Sequence, residues 1–446
     1  MNIKIILSVI VILISISVYG QDITGKLGLN GNFVIKDTTT TFLTVSQSNG
    51  YLNLNRSLKF TTMTAGSQTG VIYKGNFRFL HNYFGSGTTG ENTFLGVNSG
   101  NFTLGGTTNQ GSFNTGVGSS SLSNLTTGSN NSAFGYQALF NITTGTNNCA
   151  FGNKALYSSL TGYYNSAFGF EALYSNTSNL NSAFGYRALY SNTTGYRNTA
   201  FGMEALYSNT EGYSNFAFGT QALRFNLTGH FNTAFGESAL YNCNGIGNTA
   251  IGMRTLSAVT TGISNTGIGM DAGSGITTGS DNIVIGEFAQ VPSGTSNNQV
   301  RIGYTGITYA GIQVAWTITS DINWKKDIST SGLGLGFISK LKPVSYIRKN
   351  DEKEKTEYGF IAQEIEKVLK EYGVENAGMI TVDDEGRYEL RYNDLLAPMV
   401  KAIQELEEEN DRIKTENEEL KARLQKIEQL QNLLMNEISN LKTVKN

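Results

Sequence analysis

The chain has 446 residues, 39% of them hydrophobic, with 52 glycines, three prolines and a formal net charge of -2. That length and apolar content exclude general disorder and allow several folded segments. Without clustered Lys and Arg before the C-terminal part, neither nucleic acid nor an anionic membrane is indicated as a partner, and glycine without a Gly-X-Y period excludes collagen in favour of a turn-rich repeat.

Residues 1–20, "MNIKIILSVIVILISISVYG", read as a signal peptide: a lysine near the start, an apolar core from Ile5 to Val18, and Val18 and Gly20 placed for signal peptidase. A membrane anchor is the rival reading, but the apolar run falls short of the ~20 residues that a span needs. The mature chain is therefore expected to be exported, with no transmembrane span. Residues 21–94 contain short alternating runs such as "FVIKD", "TFLTV" and "YLNLN", which suit a β-rich cap or attachment region.

From residue 95 to 290 a repeat of sixteen or seventeen residues takes over, as in "NSAFGYQALFNITTGTN" from Asn131 and "NTAFGMEALYSNTEGYS" from Asn198. Its anchor recurs at Val117, Phe134, Phe151 and Phe168, and on to Ile251, Ile268 and Ile285. Each copy reads as two short extended pieces, "NTAFG" and "ALYSN", joined by Gly/Asn/Thr turns. So short a unit cannot bury its own apolar residues, so the copies must stack as coils at ~4.8 Å spacing. In this reading Phe134, Leu139 and their equivalents point inward, and asparagine ladders satisfy the turns. Calcium loops would need a regularly placed Asp, which the repeat lacks, and no metal or other cofactor is indicated. Cys149 and Cys243 lie more than five repeats apart, beyond the ~7 Å Cα separation of a disulfide, and read as unpaired. The pattern "NTAFGxxAL" resembles the heads of trimeric autotransporter adhesins, which implies a parallel β-roll in a three-chain assembly.

Between residues 291 and 319 the repeat decays into a β-rich neck. About two thirds of all charged residues then follow Ser320. Within 320–400, "YGFIAQEIEKVLKEYG" has helical periodicity, and "MITVDDEGRYELRY" reads as a hairpin turning at Asp384 to Gly386. Over 401–446 a heptad sets Ile403, Asn410, Asn417, Leu424, Gln431 and Ile438 at a, and Leu406, Ile413, Leu420, Ile427, Leu434 and Leu441 at d. That is a coiled-coil pattern, with Asn410 and Asn417 fixing register and strand number. A helix folded back on its own domain is the alternative. The fold class expected is thus a mainly β repeat rod, a parallel β-roll or β-solenoid in trimeric assembly, followed by a small α+β domain and a C-terminal α-helical coiled coil.

At the seam, "SDINWKKDI" is followed by "LKPVSYI" and "YGFIAQEIEKV". On spacing alone, Ser320, Asp321 and Lys325 read as a helix N-cap beside a surface lysine. The order of these motifs resembles the C-terminal intramolecular chaperone of phage endosialidase tailspikes, a self-cleaving serine peptidase family whose module ends many bacterial and phage fibres. The resemblance covers Ser320 to about Lys426, with Trp324 where the family usually has leucine. It implies scission of Thr319-Ser320, with Ser320 as nucleophile and Lys325 as general base. A solvated lysine is protonated at neutral pH, so the chemistry demands a desolvated amine, with Trp324 and Ile328 as wall material. Asp321 either orients Ser320 or caps the turn that follows. Gln363 and Glu364 match the family pattern, with a role open between structural hydrogen bonding and tuning of the site.

The function expected is an exported homotrimeric fibre or adhesin-like surface protein, whose chaperone drives assembly and is removed by single-turnover autoproteolysis. A cell-surface or glycan ligand of the shaft or N-terminal region is its expected partner class. Two alternatives compete. A glycan-cleaving tailspike would need paired carboxylates, and the repeat offers only scattered Glu171, Glu204, Glu237 and Asp271. An inert spacer shaft would need no ligand at all.

Overall fold

The computed structural model describes residues 32–36, 41–46, 52–54 and 71–443, apart from 312, 314–316, 350 and 352. The expected signal peptide lies outside the described residues. The chain divides into two compact units, Met1–Thr64 and Ala65–Asn446. Described in the first is a three-stranded antiparallel sheet, Asn32–Lys36, Thr41–Ser46 and Leu52–Leu54 in that order.

The second unit begins with the hairpin Ile72–Lys74 and Phe77–His81, which pairs antiparallel with Thr93–Leu95. From there every strand is three residues long and pairs in parallel with its counterpart one repeat away, through Val300–Ile302. The result is a parallel β-solenoid of about eleven turns. Its register is uniform: Ser166, Ala167 and Phe168 face Ser182, Ala183 and Phe184, and those face Thr199, Ala200 and Phe201.

Alternation along so short a strand sends its middle residue to one side and its outer two to the other. The middle residue is the buried one, since Ala133, Ala167, Ala200 and Ala234 have no exposed surface. The phenylalanine anchors therefore face outward, against the expectation that they fill the core; Phe201 and Phe235 are 47% and 48% exposed. A coil with only one short strand encloses a narrow interior, already filled by Ala, Leu and Asn. The displaced rings stack on one another instead, with centroids 4.4 Å apart for Phe134 and Phe151 and 5.0 Å for Phe151 and Phe168. A second outer ladder, Tyr157, Tyr174, Tyr190 and Tyr207, runs parallel to it.

Leucine does fill the core: Leu139, Leu173 and Leu206 are fully buried. Its backbone corrects the second expectation, because "ALYSN" is not extended. Leu139, Leu173 and Leu206 have φ of 49°, 53° and 51°, so the chain turns there through the left-handed region. That conformation is unfavourable for an L-residue by about 1–2 kcal/mol. Each such leucine donates its N–H to the next coil, as from Leu206 to Ala222 O at 3.0 Å, so the strained turn also propagates the stack. At Gly202, φ is 139° and a Cβ would lie 2.5 Å from Gly219 O, so only glycine fits there.

The asparagine ladder is present as expected. Asn198 donates its N–H to Asn181 Oδ1 at 3.0 Å and its amide to Gly212 O at 2.7 Å, while its own Oδ1 accepts from Asn215. A second ladder links Asn176, Asn192, Asn209 and Asn226. Cys243 interrupts it, leaving Asn226 Oδ1 without a hydrogen-bond partner among the described residues. Burial pushes the Cys243 thiol up to about 11, which makes it a small apolar filler rather than a thiolate.

The first coil is built differently. Phe94 takes the inward column and packs on His81, which also meets Phe102. The His81 ring accepts from Tyr83 N at Nδ1 and is 2.8 Å from Ser99 O at Nε2, an arrangement that suits the neutral tautomer. Burial, opposed by the Ser99 hydrogen bond and aided by the Arg78 charge, brings its pKa down to about 4. The unfolded imidazole titrates near pH 6.5, so stability held above that pH is lost as pH falls toward 4. Up to about 3 kcal/mol is at stake. Amide-exchange protection of residues 77–102, corrected for intrinsic rates, is expected to fall between pH 7 and pH 4.5 in the wild type; equal protection at both would refute this.

After the solenoid comes a small domain cored by Phe337, Ile365, Leu369, Met379 and Leu395. Its elements are the short helix Leu335–Ile338, the hairpin Val344–Tyr346 with Glu357–Gly359, the helix Ala362–Glu371 and the hairpin Ile380–Val382 with Tyr388–Leu390. One helix, Leu396–Thr443, then continues for 48 residues. Glu405 on it accepts from Leu335 N at 2.6 Å, capping the short helix and fixing the long one to the domain. Beyond that base the heptad positions Ile413, Leu420, Leu424 and Ile427 are exposed.

Candidate functional site

Ser320 and Lys325 come together because the intervening residues form one tight turn. Ile322–Trp324 is a single 3-10 turn closed by Trp324 N to Asp321 O and Lys325 N to Ile322 O. Before it Asp321 is extended, and after it Lys325 is extended at φ -118° and ψ 145°. The turn brings Lys325 back beside the residue that precedes Asp321, and Lys325 Nζ donates to Ser320 Oγ at 2.7 Å. This is the spacing that proton transfer between an alcohol and an amine requires.

Asp321 takes the capping role. Its Oδ1 accepts from Asn323 N at 2.8 Å and from Asn323 Nδ2 at 2.9 Å. Gln363 and Glu364 sit exposed in the first turn of the helix Ala362–Glu371, and no hydrogen bond joins them to Ser320 or Lys325 among the described residues. Glu364 instead borders a groove of about 470 Å³ with Lys340, Lys342, Phe360, Ile361 and Lys367.

In the single chain the dyad stands in solvent. Trp324 is 83% exposed, and Ile318, Ile322 and Ile328 are exposed around it. The wall material is thus present in sequence but covers nothing. An apolar segment left open beside the lysine offers surface that a packing partner could cover.

Three of the four carboxylates scattered along the shaft are engaged elsewhere. Glu171 pairs with Arg187 at 2.8 Å, Glu204 with Arg224 at 2.9 Å, and Asp271 with Arg254 at 2.6 Å. The Arg254 hydrogen bond and charge hold Asp271 below the usual carboxylate range. These pairs bridge neighbouring coils and do not form the opposed pair of a glycosidase.

Missed by sequence reasoning were Arg301, Asp384 and Glu389, which join the last coil to the second hairpin. One signal was legible: "VRIG" places arginine where the repeat has alanine.

Fold and site together define a repetitive β-solenoid ending in a domain with a serine-lysine pair at its first residue. The family model described as chaperone of endosialidase matches residues 320–374, beginning at that serine. No curated protein and no solved structure matches the chain. The chaperone module and the solenoid shaft fit a phage or bacterial fibre, and no helix among the described residues is long and apolar enough to cross a membrane.

Proposed function

We propose that the chain is an exported homotrimeric fibre whose C-terminal module drives assembly and is then severed from the shaft by its own chemistry at Thr319-Ser320. The observation that carries this reading is the Lys325 to Ser320 hydrogen bond at the first residue of the matched span. Lys325 takes the hydroxyl proton as Ser320 Oγ attacks the Thr319 carbonyl carbon. The C–N bond breaks, the proton passes to the departing Ser320 nitrogen, and an ester joins Thr319 to Oγ. Water then hydrolyses the ester, leaving a Thr319 carboxylate and a free Ser320 amine and hydroxyl. Nucleophile and target bond belong to one chain, so effective molarity is high.

Three chains supply what one lacks. Members of the chaperone family usually form trimers. The outward column of Phe201, Phe218, Phe235, Ile251 and Ile268 is a long apolar strip, and the heptad stripe of the terminal helix is another. Both suit burial against copies of the same chain, at roughly 1.5–3 kcal/mol per fully buried large side chain. Packing near Trp324 would desolvate Lys325, so scission would report completed assembly. Light scattering of the Ser320→Ala chain is expected to give three chains per particle, and Phe201→Glu with Phe218→Glu to lower that number; a monomeric unsubstituted chain would remove the assembly argument.

A further inference from the structure

A solenoid that simply stops exposes unpaired backbone groups and an open core. Val300–Ile302 pairs on one side with Ile283–Ile285 and is the last parallel strand among the described residues. In one turn of each coil a backbone N–H donates to a carbonyl of the next: Thr260 N to Thr277 O at 2.8 Å, then Thr277 N to Gly294 O at 2.9 Å. Gly294 is the next member of that series. Its N–H donates to Asp384 Oδ2 at 2.9 Å, and Asp384 returns its own N–H to Pro292 O at 2.7 Å. A carboxylate stands where the following coil's carbonyl would be.

The core column ends in a matching way. Ala250, Gly267, Val284 and Arg301 are in register, so arginine takes the inward position at the open end. Its guanidinium donates to Gln290 O at 3.1 Å and pairs with Glu389 at 2.5 Å. Asp384 and Glu389 lie on one hairpin, Ile380–Leu390. Its turn is held by hydrogen bonds of its own, because the Asp383 carboxylate accepts from Glu385 N, Arg387 N and Arg387 Nε. This hairpin falls outside the family match, on the far side of the Thr319-Ser320 bond from the shaft.

We propose that the hairpin Ile380–Leu390 is the C-terminal cap of the shaft, and that the shaft holds it without a covalent link. The fragment that begins at Ser320 therefore stays docked on the last coil after scission, held by Asp384 on the backbone ladder and by Glu389 on Arg301. Its setting rests on the proposed scission, but the docking itself can be measured without it.

The test uses the full chain carrying Ser320→Ala, with a recognition sequence for an added protease inserted after Gly311. After complete cutting, size-exclusion chromatography at low and high salt reads whether shaft and C-terminal part migrate together. Co-migration at low salt is expected. Arg301→Glu is expected to weaken it on the order of tenfold, Glu389→Arg in the same chain to restore it, and Asp384→Asn, which keeps the shape of the turn, to weaken it alone. Separation of the unsubstituted parts at low salt, or retention indifferent to all of these changes, would overturn the proposal. A chain with Ser320 intact that never cuts itself would sink the proposed autoproteolysis and leave this result standing.

Discussion

Denaturing electrophoresis of the expressed chain is expected to resolve a fragment running from Ser320 to Asn446, and Ser320→Ala is expected to leave the chain whole. Without the hydroxyl there is no ester to form. Lys325→Ala removes the group 2.7 Å from it and is expected to slow scission by at least about a hundredfold, the usual scale of general-base catalysis. Lys325→Arg is the sharper variant, because guanidinium retains the charge and the hydrogen bond but does not give up its proton in proteins. It is expected to be as inert as the alanine. If the same fragment accumulates at the unsubstituted rate in Ser320→Ala and Lys325→Arg, another mechanism cuts the chain.

The largest expected change in stability comes from the buried asparagine ladder. Asn198→Ala removes the acceptor of both Asn215 donors, the backbone N–H and one N–H of the amide, and leaves them facing a vacated site, while Gly212 O keeps only the hydrogen bond from Asn209. At roughly 1–3 kcal/mol for each of these two donors, the loss is on the order of 2–6 kcal/mol. Asn198→Asp keeps the acceptor and sacrifices the donor, so its loss should be intermediate in size, augmented by a buried charge if it ionises. Thermal unfolding in the Ser320→Ala background measures both. An Asn198→Ala chain that melts with the unsubstituted one would show that the ladder follows the fold without supporting it.

Period was the most legible property of this chain, because a stack with one strand per coil repeats its residues wherever it repeats its geometry. "NTAFGxxAL" announced a coil, and its Asn and Leu columns are where the repeat placed them. Direction was harder. In a strand of three residues, alternation permits either Ala200 or the pair Thr199 and Phe201 to face inward. Hydrophobicity favours Phe, and only the width of the closed coil selects Ala. Nor does a leucine carry any local sign that it will adopt φ near 50°, since propensity argues against it. The turn at Leu206 exists because stacking rewards each copy for matching its neighbours.

At the seam the balance was reversed. Ser320 and Lys325 are close in sequence, so one tight turn joins them, and their proximity was readable from spacing plus motif order. What was not readable is the environment of the amine, because the side chains that would shield it are exposed in a single chain. Desolvation by neighbouring copies is a property of an assembly, and a linear pattern records only the apolar residues available for it. Arg301 shows the converse, a break in the alanine column whose partner lies 88 residues away in Glu389.

The uniform register of the coils bears on how such a fibre can change its reach. Each coil touches only the ones before and after it, so excising residues 181–197 would splice Leu180 to Asn198 and bring Asn165, Ala167 and Phe168 against Asn198, Ala200 and Phe201. The backbone register would be kept and the shaft would shorten by roughly 4.8 Å, with one local cost, since Glu171 would lose Arg187 and come to lie beside Glu204. Unequal exchange between near-identical gene segments could thus lengthen or trim the molecule in whole steps while both of its ends stay untouched.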